Sequence, residues 1–209
     1  MGISSNLGDW KNAGAWANMA HMPYLLKSAH YEIVALCNSS VEAATAAIKV
    51  HGFPKSTKAY GSPEAMAADS NIELVICSVN VKKHYELIKP SLLAGKDVIV
   101  EWPLGANLQE AEELTLIAKE KGCKTAVVLQ ARFAPVVTKV RELLAQGRIG
   151  PVLSSTFVGA CNYPSGTELV GVEYHMDINS GGNMVTIHYG HGKQLHVIWG
   201  FTCFTNWIT

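Results

Sequence analysis

The sequence has no excess of charge of either sign. Over 209 residues, 17 lysines and arginines balance 17 aspartates and glutamates. No net field draws such a chain to nucleic acid or to an anionic membrane surface, so we expect neither partner. The sequence also contains no apolar run approaching the roughly 20 residues that cross a bilayer. Its 48% of apolar residues is typical of a globular protein.

Closely spaced cysteine pairs are absent as well. The five cysteines form no C-x-x-C pair and are scattered at Cys37, Cys77, Cys123, Cys161 and Cys203. Two of them, Cys37 and Cys77, lie in apolar strand patterns, where free cysteine behaves as a small hydrophobe. Residues 1–15 contain no apolar segment typical of a secretory signal. These observations predict reduced thiols, no bound metal and a cytoplasmic protein.

Short apolar runs alternate with helical patterns between residues 31 and 150. The apolar runs predict strands at 31–37, near Tyr60, and at 72–79, 97–101 and 124–130. The helical patterns predict helices at 41–52, 62–69, 82–94, 107–122 and 134–147. Strands separated by helices of this length predict βαβ units and a parallel α/β sheet. The segment 147–152 breaks the pattern, and an alternating, strand-like pattern follows it. We therefore predict a domain boundary at about residue 150.

Helix termini are marked by capping residues. Ser62 precedes Pro63, a combination typical of a helix start. Asn107 with Glu110 three residues later predicts a second start, and Gly122 predicts the end of that helix.

Several motifs follow one another in a particular order. They are His84 with Gly95-Lys96, E-x-P at 101–103, R-F-x-P at 132–135 and G-x-I-G at 147–150. Together they resemble the Gfo/Idh/MocA oxidoreductases, over about residues 15–191. The resemblance implies a dinucleotide-binding domain at 1–150, with a Rossmann-type doubly wound parallel sheet, and a C-terminal α/β substrate or dimerisation domain at 151–209. It implies NAD or NADP as the cofactor.

Five further segments are similar to a subgroup of this family, the fungal galactose-regulon repressor and its relatives. They are A-W-A-x-x-A-H at 15–21, V-N-V-K-K-H-Y-E at 79–86, V-E-W-P-L at 100–104, L-Q-A-R at 129–132 and M-V-T-I-H-Y-G-H at 184–191. This similarity implies a regulator that binds a dinucleotide and a transcription activator.

The phosphate-binding turn of the cofactor site is incomplete in sequence. The intact G-x-G-x-x-G is absent, but Gly2 and Ser4 fit the start of such a turn and Trp16 the following helix. A polar loop is the alternative. After the strand 31–37, the residues Asn38-Ser39-Ser40 stand where NAD enzymes usually place an acid. Because no carboxylate repels a 2′-phosphate and no arginine attracts it, we expect NAD(H) and NADP(H) to bind comparably; a helix N-cap is the other interpretation.

The other predicted cofactor contacts lie at the carboxyl ends of later strands. The resemblance implies such contacts for Val79, Asn80, His84, Glu101, Trp102, Gln130 and Arg132. For Gln130 and Arg132, structural hydrogen bonding is an equally open interpretation.

The catalytic groups of the family are largely replaced. Its E-K-P lysine is matched by Trp102, and its D-x-x-x-H by Ile187 and His191. An indole has no basic nitrogen, so Trp102 cannot act as an acid or base. The neighbouring His188, Tyr189 and His191 are the remaining candidates for proton transfer, and a structural role is their alternative.

The family resemblance fails at both ends of the chain. In the Rossmann order 3-2-1-4-5-6 the first strand is central, and the residues that would form it are missing before Met1-Gly2. Its absence would leave the strands 31–37 and 72–79 without a shared neighbour. We expect a truncated or alternatively spliced product, or a faulty gene prediction, whose C-terminal domain is incomplete; the alternative is that the apolar C-terminal stretch or a partner chain fills the gap.

Two functions are compatible with this sequence. The first is an NAD(P)-binding oxidoreductase with altered hydride transfer on a sugar-like, polyol-like or secondary-metabolite substrate. The alternative is a non-catalytic, cofactor-sensing transcriptional regulator, for which a nuclear location also fits. Expected partners are a small-molecule substrate or effector, a transcription activator and further copies of the chain.

Overall fold

The computed structural model describes residues 16–154 and 177–180. The chain divides into two compact units, one of residues 1–128 with 179–181, the other of residues 129–178 with 182–209. The domain boundary that the sequence predicts at residue 150 stays a prediction.

The first unit alternates strands and helices. Its strands are Ala35–Cys37 (β1), Lys58–Tyr60 (β2), Leu74–Cys77 (β3), Asp97–Glu101 (β4) and Thr125–Val128 (β5). Its helices are Met22–Leu25 (α1), Val41–Val50 (α2), Pro63–Ala67 (α3), His84–Leu93 (α4) and Leu108–Lys121 (α5). A π-helical turn, Ala17–His21, leads into α1, and a 3₁₀ turn, Val81–Lys83, leads into α4.

All strand pairs in the described residues are parallel. β1 pairs with β2, while β3, β4 and β5 form a second sheet in that order. Within residues 16–154 and 177–180 no ladder joins β1 to β3. The predicted parallel α/β fold is therefore confirmed, while the absence of a first strand stays a prediction.

The capping residues act as their sequence positions predict. Ser62 Oγ accepts a hydrogen bond from the backbone N–H of Ala65 at 3.1 Å, and Asn107 Oδ1 accepts from that of Glu110 at 2.9 Å. Gly122 ends α5 with φ 68°, a left-handed conformation that favours glycine. Local backbone chemistry thus sets these three helix ends.

Two elements differ from the sequence prediction. The strand predicted at 31–37 is only three residues long in the structure, where Ala35–Cys37 pairs with Lys58–Tyr60 over three residues. The helix predicted from residue 82 opens as a 3₁₀ turn, where Asn80 Oδ1 accepts from the backbone N–H of Lys82 at 3.0 Å.

The core consists of two clusters that cover opposite faces of β1. Leu36 packs with Ala17, Met22, Ala47 and Phe53. Its neighbour Cys37 belongs to a larger cluster formed with residues of α3, α4, α5, β3 and β4. Successive side chains of a strand point to opposite faces, so β1 is buried on both sides, as a parallel strand in an α/β protein should be.

In the second unit the structure describes a 3₁₀ turn at Gln130–Phe133 and a helix at Pro135–Ala145 (α6). Ala134 has ψ 139°, the extended conformation that a following proline imposes. The strand pattern predicted after residue 152 lies almost entirely outside the described residues. In the described ranges, no helix is long and apolar enough to cross a membrane, and no group of three or more potential ligand side chains could hold a metal ion.

Candidate functional site

The candidate site lies at the carboxyl ends of β1, β3 and β4. In open parallel sheets, ligands bind outside these ends. Polar residues follow two of these strands, Asn38-Ser39-Ser40 after β1 and Ser78 and Asn80 after β3. The third strand, β4, itself ends in Glu101.

A buried carboxylate marks the end of β4. The side chain of Glu101 is only 8% exposed. Its Oε1 accepts a hydrogen bond from Trp16 Nε1 at 2.8 Å and contacts His21 Nε2 at 2.5 Å. Because an ionised carboxylate only accepts, we assign the hydrogen of this contact to Nε2 of His21. Charge-assisted hydrogen bonds of this kind compensate the burial of a carboxylate.

The loop after Glu101 is held by contacts of its own. The Trp102–Pro103 peptide is cis. Gly105 lies so close to α5 that an added Cβ would stand 2.9 Å from Glu110 Cβ, and the backbone N–H of Ala106 donates to Glu110 Oε2 at 2.8 Å. The half-buried indole of Trp102 therefore stands in a loop that α5 fixes, beside a carboxylate and without a basic nitrogen.

His84 joins the ends of β3 and β4. The residue is 1% exposed, with Nδ1 2.8 Å from the Pro103 carbonyl oxygen and Nε2 3.1 Å from that of Val79. Burial lowers the pKa of His84, while the two carbonyl oxygens and Glu101 oppose that shift. The neutral ring can donate to only one of the carbonyls, and the shorter contact favours Pro103. These contacts give His84 a structural function at the site; a direct cofactor contact stays a prediction.

The residues after β1 form a helix start. The side-chain oxygen of Asn38 accepts from the backbone N–H of Ser39 at 2.8 Å, and Ser40 Oγ accepts from that of Ala43 at 3.1 Å. The N-cap interpretation is therefore confirmed for Ser40. It does not exclude a cofactor contact, since the side chain of Ser39 remains exposed.

The predicted residues after β3 also take part in the backbone structure. Val79 is half-buried and offers its carbonyl oxygen to His84, while Asn80 is exposed and caps the 3₁₀ turn before α4. The structure thus brings Trp16 and Glu101 into contact at the end of β4, next to Trp102 in the chain, while His84 binds the carbonyl of Pro103 in the following loop. A cofactor contact by Val79 or Asn80 stays a prediction.

The remaining predicted site residues lie outside the described residues or in the second unit. Gly2, Ser4, His188, Tyr189 and His191 lie outside the described residues. Gln130 and Arg132 belong to the turn that opens the second unit, where the Arg132 guanidinium carbon is 5.9 Å from the Phe133 ring centroid. Their predicted functions remain predictions.

Two residues with prominent contacts, His21 and Lys96, carry no local signal of their function beyond the motifs in which they lie. The spacing of five between Trp16 and His21 does not match one face of an α-helix. Lys96 belongs to the G-K motif, and its Nζ donates to the carbonyl oxygens of Asp69 at 2.7 Å and Ile72 at 2.6 Å. A donor bound by two backbone carbonyls indicates a structural residue.

The described residues fit a nicotinamide dinucleotide. The Glu101 carboxylate can accept hydrogen bonds from hydroxyl groups such as those of a ribose, and residues 38–40 directly after β1 carry no acid that would repel a 2′-phosphate. By contrast, an apolar cavity of about 40 Å³ between the sheet and helices α4 and α5 has room for little more than one water molecule. The parallel strands with helices between them and the polar residues at their carboxyl ends are typical of a Rossmann-type dinucleotide-binding protein.

Comparison with known proteins identifies the family. Residues 13–129, more than half of the chain, match the oxidoreductase family with an NAD-binding Rossmann fold (GFO_IDH_MocA), and residues 135–200 match the C-terminal domain of Gal80p. The chain belongs to this NAD-binding oxidoreductase family, and its second part is similar to the galactose-repressor subgroup.

Relatives of known function include both enzymes and regulators. The chain is 38% identical over 167 residues to the dehydrogenase aclE of Aspergillus oryzae, and this alignment covers 77% of this chain and 43% of that protein. It is 30% identical over 187 residues to the galactose/lactose metabolism regulatory protein GAL80 of Saccharomyces cerevisiae, covering 86% of this chain and 43% of that protein. The chain thus spans less than half the length of these relatives.

A solved structure shows the same fold. A super-repressor mutant of Gal80p from Saccharomyces cerevisiae superimposes with a TM-score of 0.76 at 26% identity, over 94% of this chain and 51% of that one. The similarity to the repressor that the sequence motifs predict is therefore confirmed.

Proposed function

We propose that this chain binds NAD(H) and NADP(H) at the carboxyl ends of β1, β3 and β4 and acts as an oxidoreductase with altered proton transfer. The observation that carries the proposal is the buried Glu101 carboxylate, held at the end of β4 by Trp16 and His21. A carboxylate at this position accepts hydrogen bonds from ribose hydroxyl groups. Similarity to a dehydrogenase supports hydride transfer on a sugar-like, polyol-like or secondary-metabolite substrate.

The comparable affinity for the two cofactors rests on the residues after β1. Asn38, Ser39 and Ser40 neither repel a 2′-phosphate, as an acid would, nor provide the guanidinium that attracts it. Calorimetric titration with NADH and NADPH tests this part of the proposal. A preference of more than about tenfold for NADH would contradict it, since a factor of ten corresponds to 1.4 kcal/mol of discrimination.

The chemistry would depend on groups other than Trp102. A bound dinucleotide would supply the hydride, and a general acid or base near its nicotinamide contributes typically 10²–10⁴-fold in rate. Trp102 cannot take that function, so we assign proton transfer to His188, Tyr189 or His191. Oxidation of NADPH and NADH by sugars that carry a carbonyl group, and reduction of NADP⁺ and NAD⁺ by polyols, followed for the wild type and for His191→Ala, test this assignment.

Cofactor binding is tested first by thermal unfolding. A ligand at about 100 times its dissociation constant stabilises the folded state by roughly 2.7 kcal/mol, or about 5–11 °C for a chain of this size. We expect this shift for the wild type and a smaller one for Glu101→Ala. Glu120→Ala, which changes an exposed carboxylate on α5, is the matched control. Equal shifts for all three proteins would contradict the proposed site.

A cofactor-sensing regulator is the second candidate. It is favoured by Trp102, which occupies the position of the family's lysine and lacks acid–base chemistry, and by similarity to the Gal80p C-terminal domain. In this case the dinucleotide would control binding of a transcription activator, in the cytoplasm or the nucleus. Tight cofactor binding without any turnover, together with activator binding that changes when NADPH is added, would favour the regulator over the enzyme.

A further inference from the structure

Two donors five residues apart converge on one oxygen atom of Glu101. Trp16 Nε1 and His21 Nε2 both contact Oε1, at 2.8 and 2.5 Å. In the sequence, Glu101 lies 85 residues after Trp16 and 80 residues after His21. The family resemblance assigns no function to His21, so its contact with the carboxylate needs a separate explanation.

The π-helical turn explains how both donors reach the same atom. In an α-helix, side chains three or four residues apart lie on one face, so residues five apart do not. Here the backbone N–H of Met22 donates to the carbonyl oxygen of Ala17, five residues back. This wider turn brings Trp16 and His21 to the same side of the helix. Such single π turns occur frequently at functional sites.

The two contacts restrict the rotation of the Glu101 side chain. A free glutamate has several rotamers, and ordering one flexible side chain on binding costs roughly 0.5–1.5 kcal/mol, or about two- to tenfold in affinity. With Oε1 held by two donors, this ordering has already occurred in the folded protein. A ligand that hydrogen-bonds to the carboxylate then binds without that loss.

We propose that His21 is a positioning residue, which together with Trp16 and through the π turn Ala17–His21 holds Glu101 in the orientation that binds the ribose hydroxyl groups of the dinucleotide. This inference rests on the proposed function, because it assumes that Glu101 contacts the cofactor. His21 itself does not touch the ligand; it acts through Glu101.

A double-mutant cycle on cofactor affinity tests the inference. Dissociation constants for NADH and NADPH would be measured by calorimetry for the full chain and for His21→Ala, Glu101→Ala and the double variant, well below their unfolding temperatures. We expect His21→Ala to weaken binding by roughly two- to tenfold. In the Glu101→Ala background the same change should have no further effect, because the group on which His21 acts is gone.

Two further variants separate positioning from a general effect on folding. His21→Gln keeps an N–H group at a similar reach and should recover most of the affinity that His21→Ala loses. Leu26→Ala, which changes a side chain that is 58% exposed at the end of α1 and outside the π turn, should bind as the wild type does. A loss of stability alone would produce neither the recovery nor the non-additivity.

Three results would overturn the inference. In the first, His21→Ala binds the cofactor as tightly as the wild type does. In the second, His21→Ala weakens cofactor binding by the same factor in the wild type and in the Glu101→Ala variant. In both cases the wild type binds cofactor, so the proposed function stands and only the positioning by His21 fails. The third is a wild type that unfolds cooperatively but binds neither NADH nor NADPH, which overturns the proposed function as well.

Discussion

Replacing Lys96 with methionine should destabilise the protein without weakening cofactor binding. The residue is 7% exposed, and its Nζ donates to the carbonyl oxygens of Asp69 and Ile72 at 2.7 and 2.6 Å. These carbonyls belong to the turn before β3, whereas Lys96 directly precedes β4. The ammonium group therefore ties the two strands together at the end opposite Glu101.

The magnitude follows from the two contacts. Methionine retains an apolar stem of similar length, so the change leaves no large cavity and removes chiefly the hydrogen bonds. Leaving a buried acceptor unsatisfied costs about 1–3 kcal/mol, and the variant also avoids burying an ammonium group, which offsets part of that loss. The carbonyl oxygen of Asp69 still accepts from the backbone N–H of Ile72 at 3.2 Å, so chiefly the Ile72 carbonyl is left unsatisfied. We expect a net cost of about 1–2 kcal/mol, or roughly 2–8 °C in the unfolding temperature at this chain length.

Denaturant and thermal unfolding of Lys96→Met, with Lys49→Met as the control, measure this effect. Lys49 is exposed on α2, and surface changes of this kind usually stay within about 0.5 kcal/mol. The dissociation constant for NADH should be the same in the wild type and both variants. A Lys96→Met protein as stable as the control, or one that is stable but has lost cofactor affinity, would refute the structural assignment of this lysine.

Two further changes test single residues of the fold. Burial lowers the pKa of His84 below its ordinary value, so the unfolded chain binds a proton on this residue before the folded protein does as the pH falls below about 6.5. The free energy of unfolding should therefore decrease by at most about 1.4 kcal/mol per pH unit. In His84→Gln this decrease should be absent from denaturation measured at several pH values, and the same pH dependence as in the wild type would argue against a neutral buried ring. Asn107→Ala removes the side-chain oxygen that accepts from the backbone N–H of Glu110 and should lower the free energy of unfolding in urea by about 1 kcal/mol. Asn107→Asp keeps an accepting oxygen and should be nearly as stable as the wild type. The same loss of stability in both variants would argue against the cap.

The helix ends and the class of fold could be predicted from the sequence alone. Ser62, Asn107 and Gly122 act through hydrogen bonds and backbone angles within a few residues, so their effect does not depend on the rest of the chain. The strand at 97–101 was predicted with its observed bounds, since a short β-branched run between a glycine and a proline admits few other structures. The alternation of strands and helices likewise predicts a parallel sheet without any knowledge of the long-range contacts.

The functions of His21, His84 and Lys96 were decided only by the tertiary structure. Each of these side chains acts through a partner 19 or more residues away, and the distances to Glu101, Pro103 and Ile72 follow from how strands and helices pack. For His21 the local backbone matters too, because a π turn brings residues five apart to the same face and an α-helix does not. The spacing in the sequence does not distinguish the two kinds of turn. Sequence determined which chemical groups are present at the ends of the strands, and packing determined which of them meet.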